Sequence, residues 1–368
     1  MKAVWYEQNG DADILEYGVM EDPQPGPGEV RVQVVTSGVN PSDWKRRQGL
    51  TNKIEFPRII PNQDGAGVID AVGSGVGQTR IGERVWLFES QFRRPFGTGA
   101  EYTVQPSGHA ILLPDNTDFE SAAGLGVPAM TAHRCVFADG PVTGKTFLVP
   151  GGAGAVGHYA IQQAKLGGAT VISTVSSSEK GQIALSAGAD HVINYRDEDT
   201  VEKVRSLTGG AGVDHIVEVD MAANFAVSQQ ILKSSGVLAV YSAGTSAAPS
   251  VPLTFNSTNI TVRMVLVYDM PEPAKDAAVS DITAWLEQGE LIPLPGPHFP
   301  LEQLKDAHLA VEHGTIGKVV VEIAFYHLER STLESALPKL LEKTLEAGKK
   351  AVVLVGSEEK VETLNDAL

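Results

Sequence analysis

The sequence has a single cysteine, no long apolar run and no excess of basic charge. Cys135 stands alone among 368 residues, so an internal disulfide is excluded and a reducing cytoplasm is expected. No apolar run approaches the ~20 residues that span a bilayer, and the N-terminus lacks the residue order of a signal peptide. The formal net charge of −16 argues against nucleic acid or an anionic membrane as a partner.

The first third of the chain differs from the middle in its pattern of apolar residues, prolines and glycines. Up to about residue 122, short β-branched and aromatic runs are separated by proline and glycine, a pattern typical of strands and tight turns. From about residue 127 to 268, short apolar runs alternate with helical patterns. They predict strands at 147–149, 170–174, 191–194, 213–219, 237–241 and 262–268, and helices at about 155–166, 179–187, 200–207 and 222–232. This alternation predicts a doubly wound α/β domain with a parallel sheet covered on both faces. After residue 271 we expect two more helices and a last strand at 317–323.

A glycine-rich loop is the most informative motif. Residues 146–157 read Thr-Phe-Leu-Val-Pro-Gly-Gly-Ala-Gly-Ala-Val-Gly, which places Gly152, Gly154 and Gly157 between a predicted strand and a predicted helix at 155–166. This is the context that a dinucleotide-binding fingerprint requires. The glycines allow a tight turn and a close approach to a pyrophosphate, and the helix N-terminus offers free N–H groups to it.

The end of the next strand indicates which dinucleotide is bound. An NAD site usually carries an acidic residue there to bind the ribose 2′-hydroxyl, but here the chain reads Ser173-Thr-Val-Ser-Ser-Ser178, with Lys180 after it. Small hydroxyls and an ammonium favour a 2′-phosphate, so we predict NADPH rather than NADH. A serine-rich helix cap at Ser178 is a compatible second interpretation.

Several separated motifs connect the chain to a known family. They are Pro25-Gly-Pro-Gly-Glu-Val-Arg-Val, Gly38-Val-Asn-Pro-Ser-Asp, Asp64-Gly-Ala-Gly-Val-Ile, Ala122-Ala-Gly-Leu-Gly-Val-Pro, the glycine loop, Gly188-Ala-Asp-His-Val-Ile-Asn-Tyr and Gly317-Lys-Val-Val. On these motifs the chain up to about residue 323 resembles the zinc-independent quinone oxidoreductases (zeta-crystallin-like) of the medium-chain dehydrogenase/reductase superfamily. The resemblance implies a Rossmann NADPH-binding domain at 127–268 and a β-rich, GroES-like catalytic domain formed by 1–126 and 269–323.

The resemblance also implies roles for residues along a cleft between these domains. Gly154, Ala155 and Val156 would contact the pyrophosphate. Residues around the adenosine 2′-phosphate would be Ser176, Lys180 and Tyr195. Those along the nicotinamide end would be Thr131, Ser242, Ala243, Gly244 and Val267, and Lys318 of the terminal Gly-Lys motif would reach the cofactor. Tyr195 has an alternative interpretation as a partly buried aromatic residue at a loop.

No metal site is expected. Zinc-dependent members of the superfamily carry a cysteine in the segment that here reads Asn40-Pro-Ser-Asp43 and a histidine in the one that reads Asn62-Gln-Asp64. Catalytic zinc requires three cysteine, histidine or carboxylate ligands, and one cysteine cannot form a four-cysteine structural site. We interpret Cys135, His133 and His158 as structural residues.

Without a metal, the resemblance implies direct hydride transfer from NADPH to a quinone or an α,β-unsaturated carbonyl compound. Asn40 is the candidate polar group near the developing oxyanion, and Asp43 is the candidate for orienting Asn40 or a water. A structural turn is an alternative role for the Asn-Pro-Ser-Asp segment. The stretch 48–51 lacks a tyrosine that some members place there, so no tyrosine proton donor is predicted.

Two other functions stay open: an enoyl-thioester reductase, which needs a long acyl pocket, and a non-catalytic or structural protein that binds NADPH. The resemblance suggests a homodimer or homotetramer. It offers no basis for naming the physiological acceptor.

Residues 324–368 continue past the dehydrogenase pattern and predict a short β-α-β extension. Phe325-Tyr-His-Leu-Glu-Arg and Val355-Gly-Ser-Glu-Glu-Lys-Val-Glu resemble the N-terminal part of the chi subunit of bacterial DNA polymerase III. We interpret this extension as a truncated fusion of neighbouring coding sequences without clamp-loader function. A replication-linked adaptor and an unrelated extension are the alternatives.

Overall fold

The computed structural model describes residues 1–51, 53–244 and 258–323, and residues 1–323 form one compact unit. The β-α-β extension predicted for 324–368 lies outside the described residues. No helix in the described part of the chain is long and apolar enough to cross a membrane.

The strands of the described residues are β1 (Lys2–Trp5), β2 (Glu16–Val19), β3 (Glu29–Val39), β4 (Asp64–Val72), β5 (Arg84–Leu87), β6 (Tyr102–Pro106), β7 (Ala110–Leu112), β8 (Thr146–Pro150), β9 (Thr170–Val175), β10 (His191–Asn194), β11 (Val213–Glu218), β12 (Leu232–Val240), β13 (Thr261–Met264), β14 (Pro295–Pro300) and β15 (Lys318–Glu322). The helices are α1 (Pro41–Gln48), α2 (Phe119–Ala122), α3 (Met130–Phe137), α4 (Ala155–Leu166), α5 (Ser178–Ser186), α6 (Thr200–Leu207), α7 (Met221–Ile231), α8 (Glu272–Glu287) and α9 (Leu304–His313).

One sheet is mostly antiparallel and joins the two ends of the unit. Its order is β14-β15-β3-β4-β5-β7, and β6 also pairs with β3. Strand β3 alternates in burial, with Val30, Val32 and Val34 fully buried, as expected for a strand with one face on a core. Because β15 pairs antiparallel with β3, Lys318 is brought next to residues that precede it by more than 270 positions.

The second sheet has six parallel strands in the order β10-β9-β8-β11-β12-β13. Side chains alternate between its faces. Phe147 and Val149 face a core shared with α3, α4 and α8, while Leu148 faces a second core shared with α6 and α7. The predicted α/β class, with helices on both faces of a parallel sheet, is therefore confirmed.

Some predicted element boundaries were wrong. The strand predicted for 262–268 ends at Met264, and residues Val267–Asp269 form a 3₁₀ turn. The strand predicted for 237–241 starts earlier, at Leu232, and ends at Val240; within it Ser235 adopts a left-handed conformation, and the register with β11 shifts between Val213 and His215. The cap of α5 is Ser177, whose hydroxyl accepts the Lys180 N–H, and not Ser178, which is already helical.

Candidate active site

The glycine loop joins β8 to α4 at the carboxyl edge of the parallel sheet. Gly151 has a φ of +73°, a conformation that glycine adopts readily, and its carbonyl accepts the Gly154 N–H at 2.8 Å. Gly154 is the N-cap, so the first turn of α4 starts at Ala155. The first N–H groups of a helix have no partner within it. This turn borders a cavity of about 350 Å³ lined by Gly154, Ala155 and Val156.

Gly152 and Gly157, also predicted to bind the cofactor, do not line this cavity. A Cβ atom at Gly157 would lie 2.3 Å from the Gly151 carbonyl oxygen, and one at Gly152 would lie 2.2 Å from the Ser173 hydroxyl oxygen. Glycine is therefore needed at both positions for close packing of loop, helix and strand. Their effect on a bound pyrophosphate is indirect, through the shape of the loop.

The residues predicted to surround a 2′-phosphate lie together at the same cavity. Ser176, Lys180 and Tyr195 all line it, and the Lys180 ammonium donates to the Ser176 hydroxyl at 3.3 Å. Tyr195 is about half exposed. Among the described residues, Lys180 and Lys318 are the charged residues that line this cavity, and no carboxylate does. In a chain of net charge −16, the Lys180 ammonium, which forms no ion pair with a described residue, favours an anionic ligand such as a phosphorylated dinucleotide.

A buried polar cluster lies at another part of the cavity wall. The Lys318 ammonium donates to Asn40 Oδ1 at 2.6 Å and to Asp64 Oδ2 at 2.8 Å, and Asn40 Nδ2 donates to the same carboxylate oxygen at 2.8 Å. The other carboxylate oxygen accepts the Val127 N–H at 2.8 Å. Asn40, Asp64 and Lys318 are 2%, 0% and 6% exposed. Asn40 and Lys318 line the cavity from this cluster.

Asp43 bonds to the backbone of Asn40 and does not line the cavity. Its Oδ2 accepts the Asn40 backbone N–H at 2.7 Å. Burial, together with the nearby Asp64 charge, raises the pKa of the Asp43 carboxyl to about 7. Asp43 is therefore placed to position Asn40, as one of its two predicted roles required, while direct contact with a ligand is not available to it in this geometry.

A second cavity, of about 660 Å³, adjoins the first. The two share walls at Pro41, Val127, Val156, Val219 and Tyr241. The residues predicted for the nicotinamide end all line the second cavity: Thr131, Ser242, Ala243, Gly244 and Val267.

The rest of this second cavity is mainly apolar. Tyr268 forms part of the wall, where its hydroxyl bonds to that of Ser42 at 2.7 Å and its ring stacks on Phe92 at 5.1 Å between centroids. The structure thus brings the predicted residues of both ends to two adjoining cavities.

Asp64 and Tyr268 were not singled out as site residues from the sequence. A carboxylate at the start of a strand that continues Gly-Ala-Gly-Val-Ile is a signal for a buried, partnered charge. Its partner, Lys318, lies 254 positions away. Tyr268 carries no local signal, because the residues it contacts come from α1 and from the loop after β5.

The positions at which zinc ligands were considered do not fit a metal. In the described part of the chain, no group of three or more histidine, cysteine, aspartate or glutamate side chains could hold an ion. Where a cation is needed beside Asn40 and Asp64, the Lys318 ammonium supplies it.

The three residues interpreted as structural are all buried. Burial raises the pKa of the Cys135 thiol well above its usual range. His133 bonds to the Asp281 carboxylate at 2.8 Å, and His158 bonds to the Ile292 carbonyl at 3.1 Å.

Two known protein families match separate parts of the chain. Residues 26–115 match the family described as alcohol dehydrogenase GroES-like domain, and residues 155–283 match the family described as zinc-binding dehydrogenase. Fold and site therefore define an oxidoreductase of the medium-chain dehydrogenase/reductase superfamily. Despite the second description, the described residues of this chain do not fit zinc.

Individual relatives assign the chain to one family within this superfamily. The human quinone oxidoreductase is 30% identical over 326 residues, which are 87% of this chain and 97% of that protein. A 2-haloacrylate reductase from a Burkholderia species is 32% identical over 66% of this chain and 72% of its own length. The chain belongs to the zeta-crystallin-like quinone oxidoreductase family, as its motifs predicted.

Solved structures give the same picture. The Escherichia coli quinone oxidoreductase complexed with NADPH has a TM-score of 0.78 at 25% identity, and covers 88% of this chain and all of its own. An NAD-dependent alcohol dehydrogenase has a TM-score of 0.81 at 29% identity with the same coverage. Residues 321–368 match the family described as DNA polymerase III chi subunit, in agreement with the resemblance drawn from the last segment of the sequence.

Proposed function

We propose that this protein reduces quinones or other activated α,β-unsaturated carbonyl compounds with NADPH, by direct hydride transfer and without a metal. One observation carries the proposal. A cavity with a glycine loop and the Lys180 ammonium shares a wall with a second, mainly apolar cavity, an arrangement suited to a phosphorylated dinucleotide beside an electron-poor substrate.

The first cavity supplies the binding groups for NADPH. Lys180, Ser176 and Tyr195 would hold the 2′-phosphate, and the first turn of α4 would bind the pyrophosphate. Thr131, Val267 and the 242–244 segment would hold the nicotinamide end in the second cavity. The E. coli relative has been solved with NADPH, which supports this choice, and the absence of a carboxylate from the described wall beside Lys180 supports it independently.

Bound NADPH supplies the hydride. A quinone that gains this hydride and a proton from solvent becomes a hydroquinone, and a carbon–carbon double bond becomes a single bond. The chain's contribution is to orient the acceptor and exclude water by means of the apolar walls of the second cavity. The 2-haloacrylate reductase is named for an activated alkene, which supports including such compounds.

We assign Asn40 and Lys318 to the polar edge of the reaction site, because they line the first cavity beside Pro41 and Val127, which belong to the wall shared with the second cavity. The Asn40 amide uses its oxygen for Lys318 and one N–H for Asp64, which leaves one N–H. The Lys318 ammonium likewise has three N–H groups and donates two to these side chains. The remaining donors would stabilise negative charge that develops on the acceptor oxygen. Asp43 would act as a positioning residue for Asn40.

The test is NADPH oxidation by the purified chain, followed at about 340 nm, where the reduced nicotinamide absorbs. The acceptors are benzoquinones, naphthoquinones, enones and crotonyl thioesters. We expect turnover of quinones or enones and a preference for NADPH over NADH. Turnover of the thioester alone would favour an enoyl-thioester reductase. NADPH binding without turnover of any acceptor would favour the non-catalytic alternative and overturn the proposal.

A further inference from the structure

One side chain in the second cavity has no role in the function proposed above. Lys45 lines this cavity, and it is the one charged residue among the described residues that do so. Its ammonium lies 5.7 Å from the centroid of the Trp44 ring, and it forms no ion pair with any described residue. The segment 245–257, which follows the cavity-lining residue Gly244, contains no aspartate or glutamate in the sequence.

The two neighbouring basic residues behave differently. Arg46 forms an ion pair with Glu55 at 2.8 Å, and Arg47 forms one with Glu312 at 3.3 Å. All three lie in the last turn of α1, where the helix dipole favours positive charge. Only Lys45 of these three points into the cavity, because it shares a helix face with Pro41, four positions earlier, which also lines it.

An ammonium on the wall of an apolar cavity, with no ion-pair partner among the described residues, attracts an anion more strongly than one in water, since the surroundings screen it less. The Lys45 stem can pack along the apolar wall while the charged end remains available. Among the described residues that line the cavity, no acidic side chain competes for the Lys45 ammonium. The ligand that satisfies this geometry has an apolar, electron-poor body and one negatively charged group.

We infer that Lys45 determines substrate specificity by binding the carboxylate of an acidic acceptor, a quinone or enone that carries such a group. This inference rests on the proposed function and names its substrate class. Lys45 does not line the first cavity. The phosphates of NADPH would lie in the first cavity, and the nicotinamide ring that shares the second cavity carries no negative charge, so the effect of Lys45 is directed to the acceptor.

The experiment compares two acceptors that differ in charge, 4-oxo-2-pentenoate and its methyl ester, in the full chain with NADPH. The two differ in intrinsic reactivity, so the measured quantity is the ratio of their kcat/KM values, compared between variants. We expect Lys45→Gln to lower the carboxylate-to-ester ratio about tenfold or more, the effect of one charge-assisted hydrogen bond. Lys45→Arg should retain most of the preference. Lys203→Gln removes an exposed lysine that pairs with Glu198 on another part of the surface, and should leave the ratio unchanged.

A second readout does not require turnover of either acceptor. The saturated analogues 4-oxopentanoate and its methyl ester are tested as competitive inhibitors of quinone reduction, and Lys45→Gln should weaken the carboxylate inhibitor selectively. The Kd of NADPH, measured without acceptor, should change by less than about twofold, which is the scatter of such titrations.

Different failures point to different conclusions. If quinones are reduced but both ratios are the same in wild type and Lys45→Gln, or neither analogue inhibits, the role of Lys45 is overturned and the proposed function stands. If no acceptor at all is reduced, the proposed function itself fails.

Discussion

Replacing Lys318 with methionine tests the buried cluster that connects the two ends of the unit. The substitution keeps the apolar stem and removes the ammonium. Lys318 and Asp64 are almost fully buried, and the ion pair between them measures 2.8 Å. Breaking a buried pair by removing one partner costs about 3–5 kcal/mol, because the other charge stays buried without compensation. We expect a loss of this size in the free energy of unfolding at pH 8.

The loss should depend on pH. The Lys318 charge lowers the pKa of the buried Asp43 carboxyl, and the Asp64 charge raises it. Without the ammonium, the pKa of Asp43 should therefore rise further. Carboxyls with a raised pKa in the folded state stabilise the protein most at low pH, and that stability is lost as pH rises. The destabilisation by Lys318→Met should therefore be smaller at pH 5 than at pH 8.

Urea denaturation followed by tryptophan fluorescence measures both effects. The variants are Lys318→Met, Asp64→Asn and the double variant, at the two pH values. The double variant should be more stable than the sum of the single losses predicts, by about 2 kcal/mol or more, because neither charge is then left alone. Lys165→Met is the control, since its pair with Asp190 is one-third exposed and is worth at most about 1 kcal/mol. Additive effects, or a loss below about 1 kcal/mol at both pH values, would refute the reasoning.

Three further predictions concern single residues. The pKa of the Asp43 carboxyl is raised from 3.8 to about 7 in the folded protein, so stability should fall between these pH values. Asp43→Asn should therefore gain about 2–3 kcal/mol relative to wild type between pH 5 and pH 7 in urea titrations, whereas a constant difference would contradict the raised pKa. Lys180→Ala should weaken NADPH binding by about 1.5–3 kcal/mol and leave NADH binding unchanged. Lys165→Ala should alter neither Kd, and equal losses for both cofactors would disprove the 2′-phosphate assignment. Gly157→Ala should lower stability by about 1–3 kcal/mol although alanine is the better helix former, because the loop has no room for its methyl group. Gly108→Ala, with nothing within 4 Å of its Cβ, is the thermal-denaturation control, and an unchanged melting temperature in Gly157→Ala would argue against crowding.

Much of the Rossmann half could be predicted because its signals are local. The helices at Ala155–Leu166 and Thr200–Leu207 and the strand at His191–Asn194 have the bounds that their apolar periodicity indicates. Errors arose where the backbone departs from a regular period, as at Ser235 and at the 3₁₀ turn Val267–Asp269. Those departures depend on pairing with neighbouring strands and on the packing around them.

For the candidate site, the sequence by itself determined which predicted residues lie close together through local geometry. The loop between β8 and α4 and the Ser176–Lys180 pair each lie within one short stretch, so their proximity follows from the strand-turn-helix pattern. Only the tertiary structure decided that Asn40, Asp64 and Lys318 form one buried cluster, since these side chains meet through the pairing of β3 with β4 and β15. It also decided that Lys45 lines the second cavity while Arg46 and Arg47 are paired, because three adjacent basic residues on one helix turn differ only in what surrounds them.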